Sequence, residues 1–225
     1  MRIAIFGTGY VGLVTGVCLS EIGHNVTCIN LDNYMVKRMQ RGFCPIYEPG
    51  LDELMVQNIK RKTLSFTTSC KAAIEDSDII YIALGTPKKQ GGSINLKYFK
   101  RVALDIARNL IKDAIIVIKS AVPVGTNDYI KTLIEGNLTA PIKINMVSNP
   151  EFFHEGSAIY DSFHGDRIVI GTDEVEIANV MKEVYEPFEI PIFSTSIPSA
   201  EMIKYASSAF LDAKNIFINN FFRYI

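Results

Sequence analysis

The chain has no tryptophan, and only four cysteines and three histidines among its 225 residues. Cys18, Cys28, Cys44 and Cys70 form no C-x-x-C pair, and the histidines show no metal-ligand spacing, so nothing predicts a metal site. Cys18 and Cys28 fall on apolar faces and read as buried thiols; Cys44 lies in a loop with nothing nearby to lower its pKa. Charge of one sign is also lacking. Lysine and arginine total 23 against 24 acidic residues, a net charge of −1, which with no basic stripe excludes a general binder of nucleic acid. No apolar run reaches membrane-spanning length, so no membrane segment is expected. The chain opens directly on an apolar strand-like run, which leaves no room for a signal peptide and predicts a cytoplasmic protein. Repeats, low-complexity tracts and Gly/Ser linkers are missing too. With 48% hydrophobic and 21% charged residues, the chain has enough apolar material for a sizeable globular core.

The richest stretch is the first. Arg2-Ile3-Ala4-Ile5-Phe6 has strand length, Gly7-Thr8-Gly9-Tyr10-Val11-Gly12 follows without a gap, a helical segment runs to about Gly23, and Val26-Thr27-Cys28-Ile29 is apolar again. This is the strand, glycine turn, helix and strand context in which G-x-G-x-x-G signals a dinucleotide site. Gly7 permits the tight turn, Gly9 admits the pyrophosphate, and Gly12 brings helix and strand close. The free N–H groups and positive helix end then face phosphate. The carboxylate expected after the second strand is replaced by Asn30, whose amide oxygen accepts a hydrogen bond without the charge-assisted component. Asp32 is better placed as the N-cap of the next helix. No arginine follows the strand to hold a 2′-phosphate, so NAD is preferred over NADP.

Further apolar runs at 64–67, 78–83, 114–118, 144–147, 168–171 and 192–193 read as strands. Helical patterns over 34–41, 51–60, 70–75, 96–111, 127–134, 175–185 and from 199 onward lie between and after them. The alternation predicts an α/β, Rossmann-type doubly wound and mostly parallel sheet over 1–195, followed by the start of a long helix over 196–225. Loops 85–93, 119–126 and 149–156 each follow a strand, so they are expected to open on one sheet edge as a single site.

Seven motifs, in order, then resemble one family. They are Gly7-Thr8-Gly9-Tyr10-Val11-Gly12, Pro45-Ile46-Tyr47-Glu48-Pro49-Gly50-Leu51, Gly85-Thr86-Pro87, Val122-Pro123-Val124-Gly125-Thr126, Asn149-Pro150-Glu151-Phe152, Asp166-Arg167-Ile168-Val169-Ile170-Gly171 and Glu201-Met202-Ile203-Lys204-Tyr205-Ala206. Over residues 1 to about 219 the chain resembles the UDP-glucose/GDP-mannose dehydrogenase family, and Pro45 to Leu51 incline the expectation to UDP-glucose over GDP-mannose or an N-acetylated sugar.

The resemblance implies NAD-dependent oxidation of a sugar C6 alcohol to a carboxylate, reducing two NAD, with a cysteine capturing the aldehyde between the two oxidations. It assigns cofactor contacts to Gly7, Gly9, Tyr10, Val11, Gly12, Asn30, Thr86, Ala121 and Glu155. It assigns substrate contacts to Glu151, Phe152, Phe153, Glu155, Lys204 and Ser208, with Glu155 and Lys204 at the chemistry, Lys204 stabilising negative charge on oxygen.

Several working positions depart from the family pattern. Besides Asn30, Met35 stands for a lysine near the adenosine, Ala121 for a threonine, Ser208 for an asparagine and His154 for an arginine. The nucleophilic cysteine and the UDP-binding domain would lie beyond Ile225, and none of the four cysteines present stands in for the nucleophile. The expectation is therefore the cofactor-binding part of such an enzyme, truncated and inactive alone. The alternatives are a non-catalytic nucleotide-binding module, a dehydrogenase for another nucleotide sugar, or one that stops at the aldehyde. Apolar residues from Ile216 to Ile225 predict self-association through the last helix.

Overall fold

The computed structural model describes residues 1–87 and 94–222. Its first unit is β1 (Arg2–Phe6), α1 (Tyr10–Glu21) and β2 (Asn25–Ile29), with β1 and β2 paired in parallel from Arg2↔Asn25 to Phe6↔Ile29. There follow α2 (Asn33–Gln40), α3 (Leu51–Arg61), β3 (Leu64–Thr67), α4 (Cys70–Asp76), β4 (Ile79–Ile82), α5 (Lys97–Asn109), β5 (Ala114–Ile118), α6 (Thr126–Glu135) and β6 (Ile144–Ser148). The chain continues through α7 (Ala158–His164), β7 (Ile168–Gly171), α8 (Val175–Tyr185), a 3-10 turn (Glu186–Phe188), β8 (Ile192–Thr195) and α9 (Ile197–Phe221).

Among the described residues eight strands form one sheet, in the order β3-β2-β1-β4-β5-β6-β7-β8. Strand side chains point alternately to the two faces, and both faces are covered. Ile3, Ile5, Tyr81 and Val117 join α1, α3 and α8 on one side; Ala4, Phe6, Ile80 and Ile116 join α5 and α6 on the other. Each such large side chain withdrawn from water contributes roughly 1.5–3 kcal/mol, so the central strands anchor the fold.

The strands through β6 run parallel, so the turns after β1, β2, β4, β5 and β6 share one edge. Of the loop expected over 85–93, residues 88–93 lie outside the described residues. The direction changes after β6. β7 meets it antiparallel through one pair, Ser148↔Gly171, and β8 follows β7 in parallel. Because both paired residues are strand ends, β7 begins beyond the carboxyl edge of β6 and stands over it as a wall. Strict alternation of strands and helices does not reveal this reversal.

Two local expectations are refined. Asp32 does cap α2, its carboxylate accepting the Tyr34 and Met35 N–H groups at 2.8 and 3.3 Å. Ala158–His164, to which no element is assigned from the sequence, form the short helix α7.

Candidate functional site

Three glycines shape the turn after β1. Gly7 adopts φ +111°, and a Cβ there would meet the Ala83 carbonyl oxygen at 2.4 Å. A Cβ on Gly12 would lie 2.2 Å from the Gly7 oxygen, so helix and turn approach only without side chains. At Gly9 a Cβ would meet nothing within 4 Å, and no side chain caps the α1 N-terminus that Gly9 begins. Tyr10, Val11 and Gly12 thus present a helix start with open space before it, which fits a pyrophosphate. Thr86 and Ala121, after β4 and β5 on the same edge, are half-buried.

The ribose position fits less well. The Asn30 side chain is occupied locally, donating to Thr8 Oγ1 at 2.5 Å and accepting the Asp32 N–H at 2.8 Å. Asp32 is exposed and caps α2 through Oδ1 alone, so the only carboxylate at the end of β2 is one already engaged in that cap.

The loop after β6 carries the charges. Continuing the β6–β7 register brings Phe152 opposite Arg167, and the Arg167 guanidinium carbon lies 4.6 Å from the Phe152 ring centre. Lys204 Nζ lies 5.4 Å from the same ring and 3.3 Å from Glu151 Oε1, with both charged side chains largely withdrawn from solvent. The other Glu151 oxygen, Oε2, is buried without a hydrogen-bond partner among the described residues. These residues line a cavity of about 750 Å³, which Phe153, Ser208 and Lys119 also reach. The cavity therefore unites Glu151, Phe152, Phe153, Lys204 and Ser208. Glu155 is exposed and does not line it.

Several organising residues carry no role in the sequence reading. Lys119 is buried and donates to Asn149 Oδ1 at 3.1 Å, while Tyr185 donates to the same oxygen at 2.5 Å. Asn149 in turn donates to the Val169 carbonyl at 2.8 Å, clamping the start of the loop to β7. Glu48, in the Pro45 to Leu51 motif, accepts from the Tyr10 hydroxyl and the Gly156 and Ala158 N–H groups. Burial opposes its charge, yet those three donors hold its pKa below the usual carboxylate range. Glu201 accepts from Gly125 N–H at 2.7 Å and Asn127 N–H at 2.9 Å, pinning α9 to the start of α6. For Glu48, Asn149 and Glu201 placement in a motif was the available signal; Lys119 and Tyr185 stand in no motif, and the partners of all five, far away in sequence, were not legible.

Burial disfavours the thiolate at all four cysteines. Burial pushes Cys18 and Cys28 up to about 12, and raises Cys44 and Cys70 as well. Cys18 touches the cavity, but as a protonated thiol. Among the described residues no three His, Cys, Asp or Glu side chains are grouped to hold a metal, and no helix is long and apolar enough to cross a membrane.

Comparison with known proteins agrees with this fold. The model of the "UDP-glucose/GDP-mannose dehydrogenase family, NAD binding domain" matches residues 1–189. The chain is 55% identical to the UDP-glucose 6-dehydrogenase YwqF of Bacillus subtilis, over 97% of this chain and 50% of that protein. It is 44% identical to a UDP-glucose 6-dehydrogenase of Rhizobium meliloti, over 97% and 51%. A ternary complex of a GDP-mannose dehydrogenase from Pseudomonas aeruginosa superposes with a TM-score of 0.92 at 35% identity, covering 97% of this chain and 52% of that one. The chain spans about half the length of the curated relatives it matches. It belongs to the UDP-glucose/GDP-mannose dehydrogenase family and carries that family's NAD-binding domain.

Proposed function

We propose that this chain is the cofactor-binding part of a cytoplasmic NAD-dependent dehydrogenase that oxidises C6 of UDP-glucose to the carboxylate, and that alone it does not complete the reaction. The observation that carries the reading is the Glu151–Lys204 pair over Phe152, in a cavity at the same sheet edge as the glycine turn. NAD, when bound, supplies the hydride acceptor. Gly7, Gly9 and the first turn of α1 would hold its phosphates, and Thr86, Ala121 and Glu155 would lie toward its nicotinamide end.

Lys204 offers an ammonium to a sugar oxygen as charge develops there, and Glu151 offers an unpaired acceptor to a hydroxyl. UDP-glucose is preferred as substrate because relatives at 55% and 44% identity bear that activity in their names. Capture of an aldehyde needs a thiolate, and the four thiols present are buried or raised in pKa, so this chain supplies no nucleophile. We further propose that α9 mediates self-association through its uncovered apolar residues.

The test is titration of NAD and NADP into the purified chain by calorimetry, followed by incubation with NAD and UDP-glucose. NAD should bind, NADP about tenfold more weakly or less, and no sustained NADH should form. Absence of NAD binding would overturn the cofactor assignment; sustained NADH dependent on UDP-glucose would overturn the incompetence of the chain alone. A second reading, a nucleotide-binding module without catalysis, is favoured by one observation, the local commitment of the Asn30 side chain to Thr8 and the Asp32 N–H.

A further inference from the structure

Glu48 is almost wholly buried, and its carboxylate is a hub between segments far apart in the chain. One oxygen accepts from the Tyr10 hydroxyl and, at 2.9 Å, from Gly156 N–H; the other accepts from Ala158 N–H at 2.6 Å. Tyr10 is the first residue of α1, and its backbone belongs to the turn that faces the open space before Gly9. Gly156 and Ala158 close the loop that carries Glu151, Phe152, Phe153 and Glu155.

The loop is folded over Tyr10. The Tyr10 ring lies 5.8 Å from the Phe153 ring, and its hydroxyl is 3.2 Å from the His154 carbonyl. A phenol has one proton, and the shorter contact to the Glu48 carboxylate takes it. Burial and the facing Glu48 keep that hydroxyl protonated, with Glu155 adding a smaller push in the same direction. The hub therefore consists of one carboxylate, one phenol proton and two backbone donors.

We infer that Glu48 is a positioning residue that ties the 149–156 loop to the cofactor turn through Tyr10, so that dinucleotide binding and loop order form one equilibrium. This rests on the glycine turn being the NAD site. Contacts that fix the first turn of α1 fix Tyr10, and Tyr10 fixes the carboxylate on which the end of the loop hangs. Such coupling is reciprocal, so weakening the hub must also weaken the dinucleotide. Glu48 itself stands outside the glycine turn, which makes that loss diagnostic.

The experiment is hydrogen–deuterium exchange of the 225-residue chain with and without saturating NAD, saturation being established for each protein by titration. In the unaltered chain NAD should slow exchange of peptides covering 149–158 by about fivefold or more. In Glu48→Gln, whose amide cannot accept from three donors, that slowing should fall below about twofold and the NAD Kd should rise by a similar fivefold factor. Tyr10→Phe deletes one hydroxyl and leaves both backbone donors in place, so it serves as the gentler second variant with the same expected loss of slowing. A purely structural Glu48 would speed exchange equally in free and bound protein and leave the NAD-induced ratio unchanged, which would overturn the inference. NAD binding without loop protection in the unaltered chain would overturn it too, leaving the function proposal standing. Failure of NAD to bind at all would overturn both.

Discussion

α1 and α9 are both built largely from apolar residues, yet the molecule treats them oppositely. Nine of the twelve residues of α1 are buried, because the helix lies against the sheet with α3 and α7 around it. In α9, only Ile197, Ala200 and Glu201 are buried, and Phe210, Phe217 and Phe221 stand in solvent. The difference lies in what covers each helix. α1 has close backbone neighbours that forbid side chains; α9 has such a neighbour only at its start, where Ala200 packs on Gly171. Substitutions should therefore become milder along a line from α1, through the first turns of α9, to its end.

The largest effect belongs to Gly12→Ala. Its new Cβ would sit 2.2 Å from the Gly7 carbonyl oxygen, a backbone atom, so helix and turn must shift apart. The expected cost is about 3 kcal/mol in urea unfolding, with NAD binding lost as the turn opens. A Gly12→Ala protein of normal stability would show that helix and turn can separate, and would remove the contrast at its strongest point.

Next comes Glu201→Ala, at the covered end of α9. It leaves the buried Asn127 N–H and amide, and the less buried Gly125 N–H, without their acceptor. Chemical denaturation should report a loss of about 2 kcal/mol. A loss near zero would mean that the beginning of α9 is as free as its end.

One turn further, Lys204→Met removes the cation from Glu151. Both side chains are more than four-fifths withdrawn from solvent, though neither wholly so, and leaving the carboxylate without its partner should cost about 1–2 kcal/mol. Adding Glu151→Gln should restore most of it, since the neutral pair no longer strands a charge. If the double variant is no more stable than Lys204→Met, the ion pair is not the source of the loss.

How much of this was legible beforehand depends on how local the cause is. The glycine turn, the parallel strands and the Asp32 cap follow from residues within a few positions of one another. α7 was not legible, since its first free N–H is satisfied by Glu48, 110 residues earlier. The reversal at β7 was hidden for a similar reason: its single paired position depends on Asn149, Lys119 and Tyr185 meeting in space. Within the candidate site, Glu151 and Lys204 could be named from motifs, but their pairing across Phe152 required the register of β7. The sequence resemblance places Glu155 near the chemistry, whereas its side chain stands outside the cavity.

A pH series probes the edge away from both helices. Asp78 is held well below the usual carboxylate range, first by hydrogen bonding to Arg2 and then by Lys112, against the opposing effect of partial burial. Its folded pKa is depressed, so its stabilisation is present above the unfolded value, about 3.9, and is lost as pH falls through the folded one. The group is partly exposed and screened, so the effect should be modest. Asp78→Asn should flatten the acid limb of the stability curve slightly and leave neutral-pH NAD binding alone.

The smallest change in stability is expected where the apolar surface is most exposed. Phe217 and Phe221 are 64% and 60% exposed, and their rings, 5.1 Å apart, contact each other along the helix rather than a core. Replacing both by serine removes almost no burial within one chain, so unfolding free energy should change by no more than about 0.5 kcal/mol. Association is a different matter, because a contiguous apolar helix face is what a second surface would cover. Sedimentation velocity over a concentration series should show the unaltered chain self-associating and the double serine variant shifted toward monomer. If stability falls by as much as in Glu201→Ala, the end of α9 is packed within its own chain after all. If both proteins sediment as monomers, exposure of these rings has no consequence for association, and the contrast with α1 reduces to burial alone.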